Sequence, residues 1–175
     1  MRNARKYNDR VTIGGVPDTE DLEQLEDLGY KTLIDLREEA EKFGGLVRKR
    51  ASRLGFRYIE IPISREKGIK MEDVKRFYEA VYERGSAPIY AFSRFGRKPL
   101  AFLLLFDGVA AREQNLVHKI IRKASDFGIN LQGDLVLEEF LVDILASGKV
   151  EPIVESIRAL RPDLLRTEKT YSGNP

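Results

Sequence analysis

The sequence predicts an α/β domain whose mostly parallel central sheet of about four to five strands is flanked by helices. The first observation is that short β-forming runs alternate with amphipathic helical patterns as far as about residue 113. The second is that only helical patterns follow, which predicts extra C-terminal helices. The third is a length of 175 residues, 42% of them hydrophobic, which suits one globular domain and excludes a disordered chain.

Four strands are predicted in the first part of the chain. Each is a short run of β-branched, aromatic or aliphatic residues that ends at a glycine, a proline or a charged cluster. The run Pro88 to Phe92 does not alternate between apolar and polar residues, so we expect both of its faces to be buried. The four predicted strands are residues 11–13, 31–36, 57–61 and 88–92.

Seven helices are predicted between and after these strands. Their apolar residues recur three or four positions apart, Asp18 or Thr19 caps the first helix, and Gly29 ends it. The stretch Leu100 to Phe106 is apolar all round, which is typical of a helix buried in the core. The other helices are predicted around 45–54, 74–81, 116–125, 132–146 and 150–160.

The composition excludes several classes of function. The chain has no cysteine, so disulfides, thiolate metal sites and a cysteine nucleophile are impossible. Lys and Arg number 30 against 28 Asp and Glu, a net charge of +2 that argues against a nucleic-acid partner. Few amides and many charges of both signs are also typical of thermophile proteins.

Neither the first residues nor the longest apolar run of the sequence indicates a contact with a membrane. The start, Met1 to Tyr7, lacks the apolar run of a signal peptide. The longest apolar run, Leu100 to Phe106, is far too short to span a bilayer. We therefore expect a cytoplasmic protein without a membrane partner.

The loop after the fourth predicted strand is a candidate anion site, because ligands of open α/β sheets bind beyond the carboxyl ends of the strands. Gly96 permits a tight turn there, and Pro99 suits the first turn of a helix, whose free amides attract anions. Arg94, Arg97 and Lys98 add three positive charges. A phosphate pocket and a solvated connecting loop explain these residues about equally well.

Other charged groups have a structural and a functional interpretation. Asp35 and Arg37, at the end of a strand, either border the pocket or form a structural ion pair. The basic run 48–50, with Arg53 and Arg57, either meets an acidic partner or is a solvated helix face, which is the default.

Four segments along the chain carry a resemblance to a known family: Asn8 to Pro17, Gly29 to Arg37, Tyr58 to Ile63 and the loop Phe92 to Pro99. In this order and spacing they resemble the cysteine-dependent protein tyrosine and dual-specificity phosphatases, in particular their small bacterial branch often called beta-lactamase-hydrolase-like. The resemblance implies a phosphatase-like α/β core at 8–112. The helical patterns at 113–165 exceed what that core needs and predict a C-terminal extension packed on it, and the polar residues at 166–175 predict a flexible tail.

The loop departs from the family pattern of His-Cys, two residues, Gly and then an Arg that opens the helix. The His position is Phe92, the Cys position is Ser93, and Gly96 is retained. The Arg position falls on Lys98 in the short-loop register and on Pro99 in the longer one. The general acid of the family is an Asp on the loop that follows the strand ending at Ile61-Pro62-Ile63. In this chain that position is Ser64.

These departures remove the chemistry of a thiol phosphatase. A Ser93 nucleophile needs a general base, and no His or carboxylate flanks it in sequence. The single histidine, His118, is interpreted as a helix-surface or packing residue. Lysine cannot copy the two-pronged grip of arginine on a phosphoryl group, and loss of the acid typically costs a factor of about 10² to 10⁴. Glu66 and Asp73 are possible substitutes, although a solvated loop charge and a first-turn helix acid are the favoured interpretations.

We therefore predict a catalytically impaired phosphatase-like domain that needs no cofactor or metal. It binds a phosphate-bearing ligand through its loop, or a protein partner through the loop or the surplus C-terminal helices. The alternatives are an active phosphoester hydrolase that uses Ser93 or another group, and a purely structural module. The doubtful catalytic positions are Ser93 and Ser64, and the predicted anion-binding residues are Ser93, Arg94, Phe95, Gly96, Arg97 and Lys98.

Overall fold

The computed structural model describes residues 4–64 and 66–163, and these form the predicted α/β architecture around a five-stranded sheet. The strand order is β1-β2-β5-β3-β4, in which β1 is antiparallel to β2 and the other neighbours are parallel. The strands are β1 (Arg5–Lys6), β2 (Val11–Gly14), β3 (Thr32–Asp35), β4 (Arg57–Glu60) and β5 (Ile89–Phe92).

Helices connect these strands and then continue beyond the sheet. Asp18 caps the first helix through a reciprocal capping box with Asp21, as its sequence indicates. The described helices are α1 (Thr19–Asp27), α2 (Leu46–Arg53), α3 (Met71–Tyr82), α4 (Arg97–Ala110), α5 (Leu116–Asp126), α6 (Leu135–Ser147) and α7 (Val150–Leu160). Two short 3-10 turns, Glu39–Glu41 and Phe43–Gly45, lie between β3 and α2.

The sheet separates two apolar clusters. Leu22 and Leu25 of α1 and Ala51 of α2 pack on one face with Leu33 and Tyr90. On the other face, α3 and α4 pack together with buried residues of α5, α6 and α7, so the C-terminal helices extend the main core. α4 is buried from Pro99 to Phe106, which explains its apolar composition on every side.

The parallel register brings the ends of four strands to one edge of the sheet. Gly14 of β2 and Asp35 of β3 both lie opposite Phe92, the last residue of β5. Asp35 in turn lies opposite Glu60 at the end of β4. The segments that follow these strands therefore meet at the carboxyl edge, where a ligand site is expected.

The structure departs from the sequence-based prediction in local details. Strand β1 was not predicted, because it consists of two exposed basic residues without an apolar pattern. α4 begins at Arg97, ahead of its apolar run, since Gly96 takes a left-handed conformation directly before it. The predicted tail at 166–175 lies outside the described residues. In residues 4–64 and 66–163, none of the helices has the length and apolar character needed to cross a membrane.

Candidate functional site

Ser93 begins the candidate loop directly after β5, at the carboxyl edge of the sheet. The residue is only 3% exposed. Its backbone N–H donates to Gly14 O at 3.4 Å, which ties the start of the loop to the end of β2. Within residues 4–64 and 66–163, no side chain hydrogen-bonds to Ser93 Oγ. In the described part of the chain, the predicted nucleophile position is thus buried and its hydroxyl has no side-chain partner.

Gly96 allows the loop to lie against the backbone of β2. Its φ is +72°, and a Cβ at this position would lie 3.1 Å from Gly14 O. Next to it, Phe95 forms a bridge with Gly15. A side chain at Gly96 would therefore meet both backbone strain and a close neighbour, which explains why the sequence has glycine here.

Two guanidinium groups flank an exposed aromatic ring at the surface of the loop. Phe95 is 56% exposed. The central guanidinium carbons of Arg94 and Arg97 lie 5.1 and 5.7 Å from its ring centroid, within the range of cation–π contacts. In the described part of the chain, Arg94 has no carboxylate within salt-bridge distance. Arg94 can therefore meet a ligand that approaches from solvent.

Lys98 points inward and joins the segments that follow two strands. Its Nζ donates to Leu36 O at 3.2 Å and to Ile63 O at 2.7 Å. Glu38 Oε1 lies 4.0 Å from the same nitrogen. The ammonium is therefore held by backbone carbonyls beyond β3 and β4, on the inner side of the loop.

The space enclosed by the loop is small and partly acidic. Its enclosed volume is about 20 Å³, which is enough to hold one water molecule. Besides Ser93 and the cationic residues, two carboxylate residues line it, Glu41 and Asp134. Asp134 Oδ2 lies 3.5 Å from Arg97 Nη1. An anion that enters the loop therefore meets negative as well as positive side chains.

Asp35 and Arg37 form a buried ion pair beside the loop. Arg37 Nη2 donates to Asp35 Oδ2 at 2.7 Å and Arg37 Nε donates to Oδ1 at 3.0 Å. The Tyr58 hydroxyl also donates to Asp35 Oδ2, at 2.6 Å. Burial, followed by the charge of Asp35, raises the pKa of Tyr58 well above its ordinary value. Because both partners are buried and mutually satisfied, the geometry favours the structural interpretation of this pair.

The remaining candidate residues occupy loop, helix-end and helix-surface positions. Ser64 Oγ accepts the backbone N–H of Lys67 at 3.2 Å, and Glu66 is an exposed loop residue. Asp73 lies in the first turn of α3, while His118 is exposed on α5. In residues 4–64 and 66–163, no cluster of three or more His, Cys, Asp or Glu side chains could hold a metal ion.

The basic residues of α2 and β4 are largely paired on the surface. Arg48 pairs with Glu60 at 3.0 Å and Arg57 pairs with Glu83 at 2.5 Å. Arg50 pairs with an α1 carboxylate, that of Glu23. These contacts fit the solvated-face interpretation of the basic run.

A larger groove, of about 630 Å³, lies between β4, α3 and the end of α7. It is lined by none of the loop residues and by no residue at a predicted catalytic position. Volume alone does not identify a site, and the chemistry that the sequence predicts belongs to the smaller cavity.

Sequence reasoning did not find the two carboxylates of the loop cavity. Glu41 lies in a 3-10 turn and Asp134 precedes α6, so neither is near the loop in sequence. No local pattern pairs them with Arg97, because the contact depends on how α6 packs against the core. The composition of the loop alone therefore predicted more free positive charge than the fold leaves.

Comparison with known proteins supports the family resemblance. Residues 2–98, more than half of the chain, match the family described as a DSP-PTPase phosphatase fused to NAD+ kinase. No curated protein matches the chain.

Solved structures of phosphatases share the fold. A proposed phosphatase from Neisseria meningitidis is 26% identical, with a TM-score of 0.59 over 78% of this chain and 94% of that chain. A proposed DUF442 phosphatase from Shewanella putrefaciens is 17% identical, with a TM-score of 0.64 over 84% of this chain and 91% of its own. The catalytic domain of the PP-IP phosphatase Siw14 from S. cerevisiae, in complex with citrate, is 14% identical, with a TM-score of 0.64 over 86% and 94%.

These structural matches agree with the α/β fold of the described residues. The chain therefore belongs to the family of DSP-PTPase phosphatases described as fused to NAD+ kinase, within the superfamily of cysteine-dependent protein tyrosine and dual-specificity phosphatases.

Proposed function

We propose that this chain is a catalytically impaired phosphatase-fold domain that binds a phosphate-bearing ligand or a protein partner through the loop at 93–99. The observation that carries the proposal is the chemistry of the nucleophile position. The chain has no cysteine, and no described side chain is hydrogen-bonded to Ser93 Oγ to take its proton.

The missing base matters because a hydroxyl is a poor nucleophile when it keeps its proton. A cysteine reacts as a thiolate at neutral pH, whereas serine must lose its proton to a neighbouring group during attack. The position of the acid holds Ser64, whose hydroxyl cannot protonate a leaving group as a carboxylic acid does. A reaction with Ser93 as nucleophile therefore needs a base that its hydrogen bonds do not supply and an acid that the family's acid position does not supply.

Binding can survive where catalysis is lost. Arg94 and Arg97 lie beside the N-terminal end of α4, a helix of 14 residues whose first amides attract anions. The similar structures are described as phosphatases, which favours a phosphate-bearing ligand over other anions.

The family description also suggests a class of protein partner. It names an NAD+ kinase fused to the phosphatase, so we propose an NAD+ kinase as the partner of this domain. α6 exposes Leu135 (67%) and Val142 (51%), which lie two turns apart on one side of the helix. Exposed apolar residues on the surplus helices suit such an interface.

The activity is tested with an aryl phosphate substrate and three proteins: wild type, Ser93→Ala and Ser93→Cys. We expect no Ser93-dependent turnover in the wild type. We also expect Ser93→Cys to stay inactive, because Lys98 and Ser64 remain at the arginine and acid positions. Turnover that disappears in Ser93→Ala would instead establish the alternative of an active hydrolase.

Ligand binding is tested by calorimetric titration with phosphate and tungstate. Replacing Arg94 or Arg97 by alanine should weaken binding about three- to tenfold, since each removes one charge beside the anion. Arg122→Ala, which removes an exposed cation of α5, is the matched control and should leave the affinity unchanged. Absence of anion binding in the wild type would favour the purely structural module.

The partner is tested by sedimentation of the chain with an NAD+ kinase. A stable complex that Val142→Glu disrupts is expected. Leu46→Glu, a charge introduced at an exposed leucine of α2, is the control and should leave the complex intact. If the wild-type chain forms no complex with the NAD+ kinase, the NAD+ kinase is not the partner.

A further inference from the structure

The C-terminal helices place a carboxylate against the cationic loop. Asp134 immediately precedes α6, and its Oδ2 lies 3.5 Å from Nη1 of Arg97, the first residue of α4. Its side chain is only 10% exposed. The carboxylate therefore sits within the wall of the loop cavity, where a ligand oxygen would otherwise lie.

Helix capping does not account for this position of Asp134. It is the N-cap residue of α6, yet its side chain makes no capping hydrogen bond. The Gly133 N–H, just before it, is instead satisfied by Glu138 Oε1 at 2.7 Å. An aspartate at an N-cap usually turns back to the first amides of its own helix. Here the side chain faces Arg97 of another helix.

A second carboxylate lies in the wall of the same cavity. Glu41 comes from the 3-10 turn after β3, so two separate segments bring acidic side chains to the loop. The ammonium of Lys98 is held on the inner side by the carbonyls of Leu36 and Ile63. The cavity is thus lined by protein groups of both signs.

We propose that Asp134 is a built-in anionic ligand of the loop, through which the C-terminal helices hold the site closed to external anions. A phosphate group binds by displacing the Asp134 carboxylate from Arg97. The inference rests on the proposed function, since it assumes that the loop binds anions. Beyond that function, it identifies Asp134 as the group that competes with phosphate for Arg97, and the segment before α6 as the element that supplies it.

This arrangement couples α6 to the loop. A partner that binds α6 and shifts its first turn moves Asp134 away from Arg97 and so raises the affinity for phosphate. By thermodynamic linkage, bound phosphate favours the same partner to the same extent. The extension thus regulates the loop through Asp134.

The experiment compares tungstate affinity in wild type, Asp134→Asn and Asp143→Asn by calorimetry at fixed ionic strength. Asparagine keeps the size of the side chain and the preference for an N-cap, while it removes the charge. Asp143 is an exposed carboxylate of α6, so its substitution changes the net charge equally. We expect Asp134→Asn to bind about three- to tenfold more tightly and Asp143→Asn to match the wild type.

A double variant tests whether the gain in tungstate affinity depends on Arg97. In Asp134→Asn/Arg97→Gln the gain should disappear, because the guanidinium that the substitution frees is absent. If wild type and Asp134→Asn bind tungstate equally, the inference is overturned while anion binding by the loop stands. If no protein binds tungstate, Asp134→Asn included, anion binding itself fails and the inference fails with it.

Discussion

The guanidinium of Arg37 lies over the ring of Phe92, with 5.3 Å between its central carbon and the ring centroid. Phe92 is the last residue of β5 and directly precedes Ser93. The same guanidinium pairs with Asp35, which is fully buried beneath it. The space beside the nucleophile position is therefore filled by an aromatic ring and a neutralised ion pair.

The Arg37–Asp35 pair predicts a large effect on stability when one partner is removed. Arg37→Met leaves the Asp35 carboxylate buried without its countercharge, and we expect a loss of about 3–5 kcal/mol in the free energy of unfolding. Asp35→Asn/Arg37→Met should be at least about 1 kcal/mol more stable than Arg37→Met, because no charge is then stranded. Urea denaturation measures both. Arg53→Met, an exposed change on α2, is the control, and a double variant no more stable than Arg37→Met would contradict the prediction.

The contacts of Lys98 at the carboxyl edge of the sheet predict that its replacement lowers the free energy of unfolding. Lys98→Met leaves the carbonyls of Leu36 and Ile63 without their donor, so we expect a loss of about 2–4 kcal/mol. Lys75→Met, which removes a half-exposed lysine from α3, should cost less than about 0.5 kcal/mol. Thermal and urea unfolding provide the comparison. Equal stability of the two variants would contradict a structural role for the Lys98 ammonium.

A comparison of Gly96 with Gly68 distinguishes the cost of backbone strain from the cost of close packing. Gly96 and Gly68 have φ values of +72° and +71°, but a Cβ would meet Gly14 O at 3.1 Å only at Gly96. Gly68→Ala should therefore cost about 1–2 kcal/mol from conformation alone. Gly96→Ala should cost about 2–4 kcal/mol, because the loop must also move away from β2. Equal unfolding free energies of the two variants would refute the close approach of the loop to β2.

Buried tyrosines predict a loss of stability at alkaline pH. Burial is the main cause that raises the pKa values of Tyr7, Tyr58, Tyr78 and Tyr90, and Asp107 adds to the effect at Tyr7. The folded protein keeps these protons above the unfolded pKa of about 10, whereas the unfolded chain releases them. Their contribution is thus complete below about pH 10 and declines above it, by up to about 1.4 kcal/mol per pH unit for each tyrosine.

The measurement is the free energy of unfolding in urea between about pH 9 and 11. Tyr7→Phe removes one of these groups, so its stability should decline with pH less steeply than that of the wild type. Its absolute stability is also expected to fall, because the hydroxyl of Tyr7 donates to Asp107. Parallel pH profiles for the two proteins would rule out a role for Tyr7 in the alkaline transition.

The elements of the fold were predictable because their patterns are local. The apolar run from Leu100 to Phe106 and the unalternating strand at Ile89–Phe92 both required burial on all sides, and both are buried. Strand β1 was missed because its two residues are exposed and basic, and only pairing with β2 makes them a strand.

The candidate site was predictable only in part. The loop's place after β5 follows from the alternation of strands and helices, and the positive φ of Gly96 follows from the tight turn. The direction of each charged side chain does not follow, because residues one position apart in a loop can face opposite ways. Arg97 meets Asp134 near the surface, while Lys98 points inward to the carbonyls.

By itself, the sequence determined the fold class, the family resemblance and the impossibility of cysteine chemistry, since composition and short-range periodicity are properties of the chain alone. Tertiary structure decided how open the loop is. Glu41, Asp134 and the carbonyl of Ile63 reach the loop from distant segments, and only packing of those segments around α4 brings them there. The net charge around the loop therefore depends on side chains from distant segments, and no local sequence pattern predicts which of them pack there.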